Sequence, residues 1–190
     1  MFNRPKRVII LTLIVFVLPA LACSLFSRNT APPATHTPVS TTEIKSMETQ
    51  ILSAEATAAA GGKVYLEFTE AQLTAEANTE LQKQGETRIK DLKIGLQGGL
   101  ITLTGVETES GFDMPLTITM KITIDQQGKP HTQVVSGEVG MFALPDNMIS
   151  QITSQVDQMI TSQMQADGGN VIIESLTIAN GKINIVAQAK

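Results

Sequence analysis

The sequence predicts an α+β fold in which two amphipathic helices pack on one antiparallel sheet of about six or seven strands. Three observations lead to this fold class. Apolar and polar residues alternate in several segments after residue 62, as in strands with one buried face. Two longer segments repeat apolar residues every three or four positions, as in helices. Short glycine-containing runs separate consecutive strands, so these strands are expected to pair antiparallel.

The first half of the folded unit reads as a strand, a helix and a hairpin. Apolar residues alternate in KVYLEFT, which predicts a strand at 63–68. Thr69 and Gln72 have the spacing of a capping box, which predicts that a helix begins here and covers 69–84. After this helix, apolar residues again recur at every second position, and the run QGG predicts a turn, so a hairpin is expected over 88–106.

The second half repeats the order of helix and hairpin after a central pair of strands. That pair is predicted over 115–139, and its first strand, LTITMKITI, has the cleanest alternation in the chain. A long apolar stripe predicts a second helix over 145–165. The last hairpin covers 171–188, because Asn180 and Gly181 form the strongest short hairpin signal.

The N-terminus has the layout of a secretory signal peptide over 1–22. Three basic residues precede an apolar run that ends at Ala22 and is shorter than the roughly 20 residues that span a bilayer. Ala22, Cys23 and Ser24 resemble the lipobox of bacterial lipoproteins, whose cysteine becomes the lipidated first residue; Ala20 stands where that family prefers leucine. The alternative is an uncleaved signal anchor that extends past Ser24.

Residues 23–62 are expected to connect the lipidated cysteine to a domain at 63–190. The run SRNTAPPATHTPVSTT is typical of an extended tether, and 43–60 predicts a marginal helix or stalk with a thin apolar stripe. The domain carries nine Lys and Arg against fifteen Asp and Glu, which argues against a nucleic-acid partner. We expect the chain to lie outside the cytoplasm, anchored to the bacterial cell membrane.

No pattern of side chains predicts catalysis, a cofactor or a metal site. Cys23 is the only cysteine, so no disulfide or thiolate pair can form within the chain. His36 lies in the tether, and His131 lies on a predicted edge strand with no metal-ligating residue at suitable spacing. Glu107 and Glu109 form an acidic pair that we interpret as a solvated loop. We therefore expect a protein that is not an enzyme, and the sequence does not predict its oligomeric state.

The order of elements, with EVGMFALP leading into the second helix, resembles small bacterial TULIP-like (tubular lipid-binding, LmeA-like) proteins over about residues 63–190. The resemblance implies a long helix wrapped by a strongly curved antiparallel sheet, with a lipid in the groove between them. Methionine suits a surface that accepts varied apolar shapes. The residues expected to line this groove are Met120, Met148, Ile149, Ile152, Val156, Met159 and Ile160.

Two functions follow from these observations. The first is an exported, membrane-anchored lipoprotein that binds a lipid or another apolar ligand without catalysis. The second is a structural or protein-interaction lipoprotein of the cell envelope, whose helix and sheet form a fully packed core. The space between the second helix and the sheet distinguishes them.

Overall fold

The computed structural model describes residues 40–59, 62–86, 88–109, 112–166 and 171–189. The signal peptide, Cys23 and the tether up to residue 39 lie outside the described residues. The elements, in chain order, are α1 (Thr41–Ala59), β1 (Lys63–Thr69), α2 (Glu70–Lys83), β2 (Ile89–Gln97), β3 (Leu100–Glu109), β4 (Phe112–Ile124), β5 (Pro130–Val139), β6 (Phe142–Ala143), α3 (Asp146–Ala166), β7 (Val171–Ala179) and β8 (Lys182–Ala189).

The predicted α+β class is confirmed, but the single, strongly curved sheet is not found. Within the described residues, the strands form two antiparallel sheets, ordered β2-β3-β4-β5-β6 and β1-β8-β7. Neither sheet is closed or strongly curled, and three helices accompany them in the part of the chain that the structure describes, where two were predicted to pack on the sheet. The sheets are separate because the first strand pairs with the last: Lys63 lies opposite Gln188, and Thr69 lies opposite Lys182.

The three-stranded sheet lies across one end of the five-stranded sheet. The backbone N–H of Gly99, in the turn between β2 and β3, donates to the carbonyl of Ile178 at 3.0 Å. At the other end of β7, the N–H of Ile173 donates to the carbonyl of Gly128, in the turn between β4 and β5, at 3.1 Å. Strand β7 therefore spans these two turns, which define what we call the turn end of the five-stranded sheet.

Helix α1 packs against the sheet, a position that the sequence analysis did not assign to it. Met47 is completely buried and Ile51 nearly so, and both belong to the same apolar cluster as β1 and α2. The side-chain amide of Gln72 donates to the hydroxyl of Ser46 at 2.7 Å, which joins the start of α1 to the start of α2. The segment interpreted as a stalk is therefore packed on the folded core.

Helix α3 covers the outer edge of β5. The backbone N–H of Thr132 donates to Asp157 Oδ1 at 2.6 Å, and that of Val134 donates to Thr153 Oγ1 at 3.2 Å. Strand β6 pairs with the far end of β5 only, at Glu138 and Val139. The side chains of α3 thus take the place of a neighbouring strand, and an open strand edge would otherwise invite pairing with another chain.

Helix α2 covers the outer edge of β2 in the same way. The N–H of Leu96 donates to Glu70 Oε1 at 2.6 Å, and the N–H of Ile94 donates to Thr74 Oγ1 at 3.0 Å. One turn further along, Asn78 Nδ2 donates to the carbonyl of Leu92 at 2.8 Å. Helices α2 and α3 therefore both run antiparallel to the edge strand that they cover. The repeated order of helix and hairpin in the sequence is not repeated in the packing, because α2 covers the hairpin that follows it, whereas α3 covers β5, which precedes it.

Two local predictions are confirmed in atomic detail. Thr69 accepts from the N–H of Gln72, and the Gln72 side chain accepts from the N–H of Thr69, so the predicted capping box starts α2. Asn180 and Gly181 both have positive φ, at 54° and 73°, and form the predicted two-residue turn between β7 and β8.

Candidate functional site

The residues predicted to line a lipid groove lie mostly inside the core. Of the predicted set, Ile152 and Val156 are 0% exposed and Ile160 is 1% exposed, while Met120 on β4 is 3% exposed. Met148 and Ile149, in the first turns of α3, are half-buried. The side chain of Met159 lies outside the described residues. Met120 on β4 and Ile152, Val156 and Ile160 on α3 belong to one cluster of buried apolar residues.

An open depression beside α3 is lined by residues with polar side chains. Its volume is about 360 Å³, and its lining residues are His131, Asp157, Gln158, Thr161 and Ser162. Asp157 is hydrogen-bonded to the N–H of Thr132, as described above. His131 Nε2 lies 3.2 Å from Asp125 Oδ2, and the N–H of Lys129 holds the pKa of Asp125 below its usual value. The contact between His131 and Asp125 organises the turn before β5.

The described residues offer no arrangement for metal binding. No group of three or more His, Cys, Asp and Glu side chains in this part of the chain is placed to hold an ion. Glu107, predicted to lie in a solvated loop, is instead 1% exposed on β3, opposite Ile89 and Met114. The side chain of Glu109 lies outside the described residues.

Three large apolar side chains stand exposed together at the end of the five-stranded sheet opposite the turn end. Phe112 is 74% exposed, Met141 is 95% exposed and Phe142 is 75% exposed. We call these three residues the apolar tip. The tip is the most exposed group of neighbouring large apolar side chains in the described residues, and isolated exposed apolar residues elsewhere need no explanation.

The sheet register places Phe112 and Phe142 on the same face, with Phe112 four residues before Leu116 on β4, roughly 13 Å further along at about 3.3 Å per residue. Phe142 on β6 lies opposite Val139 on β5, and Val139 lies opposite Leu116 on β4. Residues opposite each other share a face, so Phe142 continues the row that Leu116 begins. The N–H of Gly140 donates to the carbonyl of Pro115 at 2.7 Å, which fixes the turn carrying Met141 against β4. The tip is therefore an extension of the core face beyond the part that α3 covers.

Asp113, Glu138 and Asp146 are exposed close to the tip in the sequence, and alternation along β4 and β5 places Asp113 and Glu138 on the sheet face opposite to that of Phe112 and Phe142. Lys90 lies 3.4 Å from Asp113 and is the basic partner on the β2 side of the tip. The Thr108 hydroxyl, which donates to Asp113, is the main cause of the lowered pKa of that carboxyl. Residues 130–181 contain five acidic residues and no lysine or arginine, and Glu138 and Asp146 are the two of them nearest to Phe142 in the sequence.

Sequence reasoning did not identify the tip. Phe112 follows Gly111 in the run SGFDMP, and Phe142 follows Met141 in the run GMFALP, both between segments of clear periodicity. Connecting segments are usually rich in small and polar residues. The usable signal was therefore the presence of Phe and Met where a polar turn is the norm.

Comparisons of the chain with known protein families, with curated proteins and with solved structures found no match. Among the described helices, none has the length and apolar character needed to cross a membrane. The function is therefore argued from the sequence and the geometry of the tip.

Proposed function

We propose that this chain is an exported, non-catalytic lipoprotein, anchored to the bacterial cell membrane through Cys23, whose folded unit binds a partner protein at the apolar tip. The observation that carries the proposal is the exposure of Phe112, Met141 and Phe142 near one end of the five-stranded sheet. Burial of a Phe or Met side chain is worth about 1.5–3 kcal/mol. Clusters of exposed aromatic and Met side chains are typical of the centre of a protein interface.

The position of the tip supports a role in binding. The tether joins the folded unit at α1, whose Ser46 contacts Gln72 at the start of α2. The neighbouring residue Glu70 donates its N–H to the carbonyl of Gly181, whose own N–H donates to Leu96 at the turn end. Phe112 lies at the opposite end of β4, roughly 25 Å from Met120 at about 3.3 Å per residue. The tip and the tether attachment thus occupy opposite ends of the five-stranded sheet.

The core packing favours this function over an internal lipid groove. A groove between α3 and the sheet needs apolar side chains that face open space, whereas Ile152, Val156 and Met120 are at most 3% exposed. Filling a close-packed core with a ligand would force these side chains apart. An apolar surface at the tip needs no such rearrangement.

Site-specific photo-cross-linking in bacterial cells that produce the full chain tests the proposal. A photoreactive amino acid at Phe142 should give a discrete adduct of higher mass with one protein. The matched control is Tyr65 on the solvent face of β1, which is 73% exposed and lies away from the tip. Phe112→Ser should weaken the Phe142 adduct. Equal adducts at both positions, or none at Phe142, would overturn the proposed binding function.

The anchor has its own test. Cys23→Ser should release the chain from the membrane fraction or leave an uncleaved precursor, because lipid attachment and processing both need the thiol. Mass spectrometry of the wild-type chain should locate the acyl groups on Cys23. Unchanged processing and membrane extraction of the variant would exclude the lipidated cysteine while leaving the role of the tip intact.

An apolar ligand is the second candidate function. The observation that favours it is that Met148 and Ile149 are only half-buried where α3 begins, beside the half-buried Leu144. Native mass spectrometry of residues 24–190, which keep the whole described core, is the test. Lipid that copurifies with this chain, and is lost on Met148→Ser, would favour this function. A chain that carries no lipid and takes up no fluorescent fatty acid would exclude it.

A further inference from the structure

We infer that the partner bound at the apolar tip is a second copy of this chain, held by a two-fold symmetric contact between the two tips. This inference rests on the proposed function and adds the identity of the partner. Three features carry it: the continuity of the apolar surface at the tip, the sheet face on which the nearby charges lie, and the area that two tips can bury.

The exposed side chains of the tip belong to one continuous apolar surface. Phe112 and Met114 are two positions apart on β4 and therefore share a face, and the register places Phe142 on that face as well. A Cβ atom added to Gly140 would lie 3.9 Å from Met114 Sδ, so the side chain of Met114 reaches the turn that carries Met141. Met114 thus links Phe112 to the turn, and one partner can cover all of these side chains.

The described side chains give this face little charge with which to select a different protein. Asp113 and Glu138 lie on the other face, and Lys90 pairs with Asp113. Glu107 on β3 shares the face of the tip but is 1% exposed, so it presents no charge to a partner. Asp146, at the start of α3, is exposed and follows the tip closely in the sequence. Because charge patterns usually set the choice of a foreign partner, their scarcity here favours an identical apolar surface.

Two tips together expose enough apolar surface for a dimer. Phe112 and Phe142 are about three-quarters exposed, and Met141 is 95% exposed. Because a side chain of this size buries roughly 150–250 Å², the three offer roughly 500 Å² on each copy. A contact between two copies would therefore bury roughly 1,000 Å² through these side chains, which is the lower limit for a specific interface. Two-fold contacts, in which each copy uses the same surface, are the commonest in soluble homo-oligomers.

The net charge of the folded unit gives this contact a distinctive salt dependence. Residues 63–190 carry nine Lys and Arg against fifteen Asp and Glu, so two copies repel each other at long range. Salt screens that repulsion and leaves the apolar contact in place. We therefore expect the dimer to strengthen as the salt concentration rises, whereas a contact between an acidic and a basic surface would weaken.

Photo-cross-linking in cells that produce two differently tagged copies of the full chain tests the inference. With a photoreactive amino acid at Phe142, we expect an adduct of twice the mass of the chain that carries both tags. The same amino acid at Tyr65, which is 73% exposed away from the tip, is the control and should give no such adduct. A Phe142 adduct with a different protein, and none with both tags, would overturn the inference and leave the proposed function standing. No adduct at Phe142 would overturn both.

Sedimentation equilibrium of residues 24–190 measures the same contact in solution, after circular dichroism and a cooperative unfolding transition show that this chain is folded. We expect a reversible equilibrium between monomer and dimer, tighter by roughly two- to fivefold in 0.5 M salt than in 0.05 M salt. Phe142→Ser should weaken the dimer by about tenfold or more, as for a central apolar contact. Tyr65→Ser removes an aromatic side chain of similar exposure and should have no effect.

Three results of these measurements would overturn the inference. The first is a chain that stays monomeric up to its solubility limit. The second is association that weakens as salt is added, or that Phe142→Ser and Tyr65→Ser weaken equally, because either result would place the contact away from the tip. The third is Phe142-dependent binding of the monomer to phosphatidylcholine vesicles, which would show that a lipid surface covers the tip.

Discussion

Asp157 Oδ1 accepts a hydrogen bond from the backbone N–H of Thr132 at 2.6 Å, which joins the middle of α3 to the open edge of β5. A carboxylate side chain here does what a neighbouring strand would otherwise do. Glu70 and Leu96 are related in the same way, also at 2.6 Å, where α2 covers β2. Several of the polar residues of the two helices thus have structural roles that are separate from binding.

Asp157→Ala should destabilise the fold by about 1.5–3 kcal/mol, because it leaves the Thr132 N–H without its charged acceptor. Urea unfolding should show a lower midpoint with an unchanged slope, and amide exchange at Thr132 should accelerate. Ser154→Ala is the matched control on the exposed face of the same helix, where the hydroxyl donates only to the carbonyl of Ser150. The control should stay within about 0.5 kcal/mol of wild type. Equal stability of the two variants would contradict the role given to Asp157.

Gly128→Ala should destabilise the fold by about 2–4 kcal/mol, because the residue has φ of +75° and an added Cβ would collide with Ile172 Cγ2. The backbone of Ile173 lies close on the same side, so β7 would have to move away from the turn. Gly98→Ala has a similar φ, +61°, but open space around the position, and should cost only about 1 kcal/mol. Thermal unfolding of both variants measures the difference. Equal losses of stability in the two variants would mean that the close contact between Gly128 and β7 is unimportant.

Met47→Ala should destabilise the fold by about 2–5 kcal/mol, because Met47 is 0% exposed and its loss leaves a cavity between α1 and the core. Leu52→Ala removes an apolar side chain that is 58% exposed on the same helix and should change stability by less than about 0.5 kcal/mol. The experiment compares urea midpoints. A loss below about 1 kcal/mol for Met47→Ala would show that α1 contributes little to the stability of the fold.

Glu76→Gln should stabilise the fold slightly at neutral pH. Burial is the largest cause of the raised pKa of Glu76, with Glu80 and Glu48 adding to it and Lys83 opposing it. A carboxyl whose pKa is raised above 4.5 in the folded state destabilises that state as pH rises through the interval between the two values. The gain should be a few tenths of a kcal/mol at pH 7, because the group is only half-buried, and should disappear below about pH 4. A gain that is independent of pH, or a loss at pH 7, would contradict this assignment.

Local features of the sequence were sufficient to predict individual elements. The alternation in LTITMKITI predicted a strand with one buried face, and Ile118 and Met120 are indeed buried on β4. The capping box at Thr69 and the turn at Asn180 involve only residues that are close in the chain, so a short stretch of sequence is enough to predict them.

Features that depend on distant parts of the chain were not predictable in this way. The alternation of apolar and polar residues identifies a strand but not the strand with which it pairs. The sequence therefore did not predict that β1 pairs with β8, with Lys63 opposite Gln188, and so did not predict the division into two sheets. The packing of α1 was missed because Ala54 and Ala58, which add to its contact with the core, carry little hydrophobic signal. At the tip, the apolar character of Phe142 predicts burial, while its exposure depends on where α3 stops covering the sheet.

The pairing of the first strand with the last has a consequence for the order of assembly. Lys63 leaves a ribosome or a translocation pore long before Gln188. Strand β1 therefore cannot pair until more than a hundred further residues have followed it. Contacts this far apart in sequence slow folding, because a large loop must close before they form. Removal of β8 would therefore leave β1 without a paired strand, however well the five-stranded sheet had formed. The three-stranded sheet can form only after β8 has been delivered, so the last of the described strands limits how early β1 can be protected.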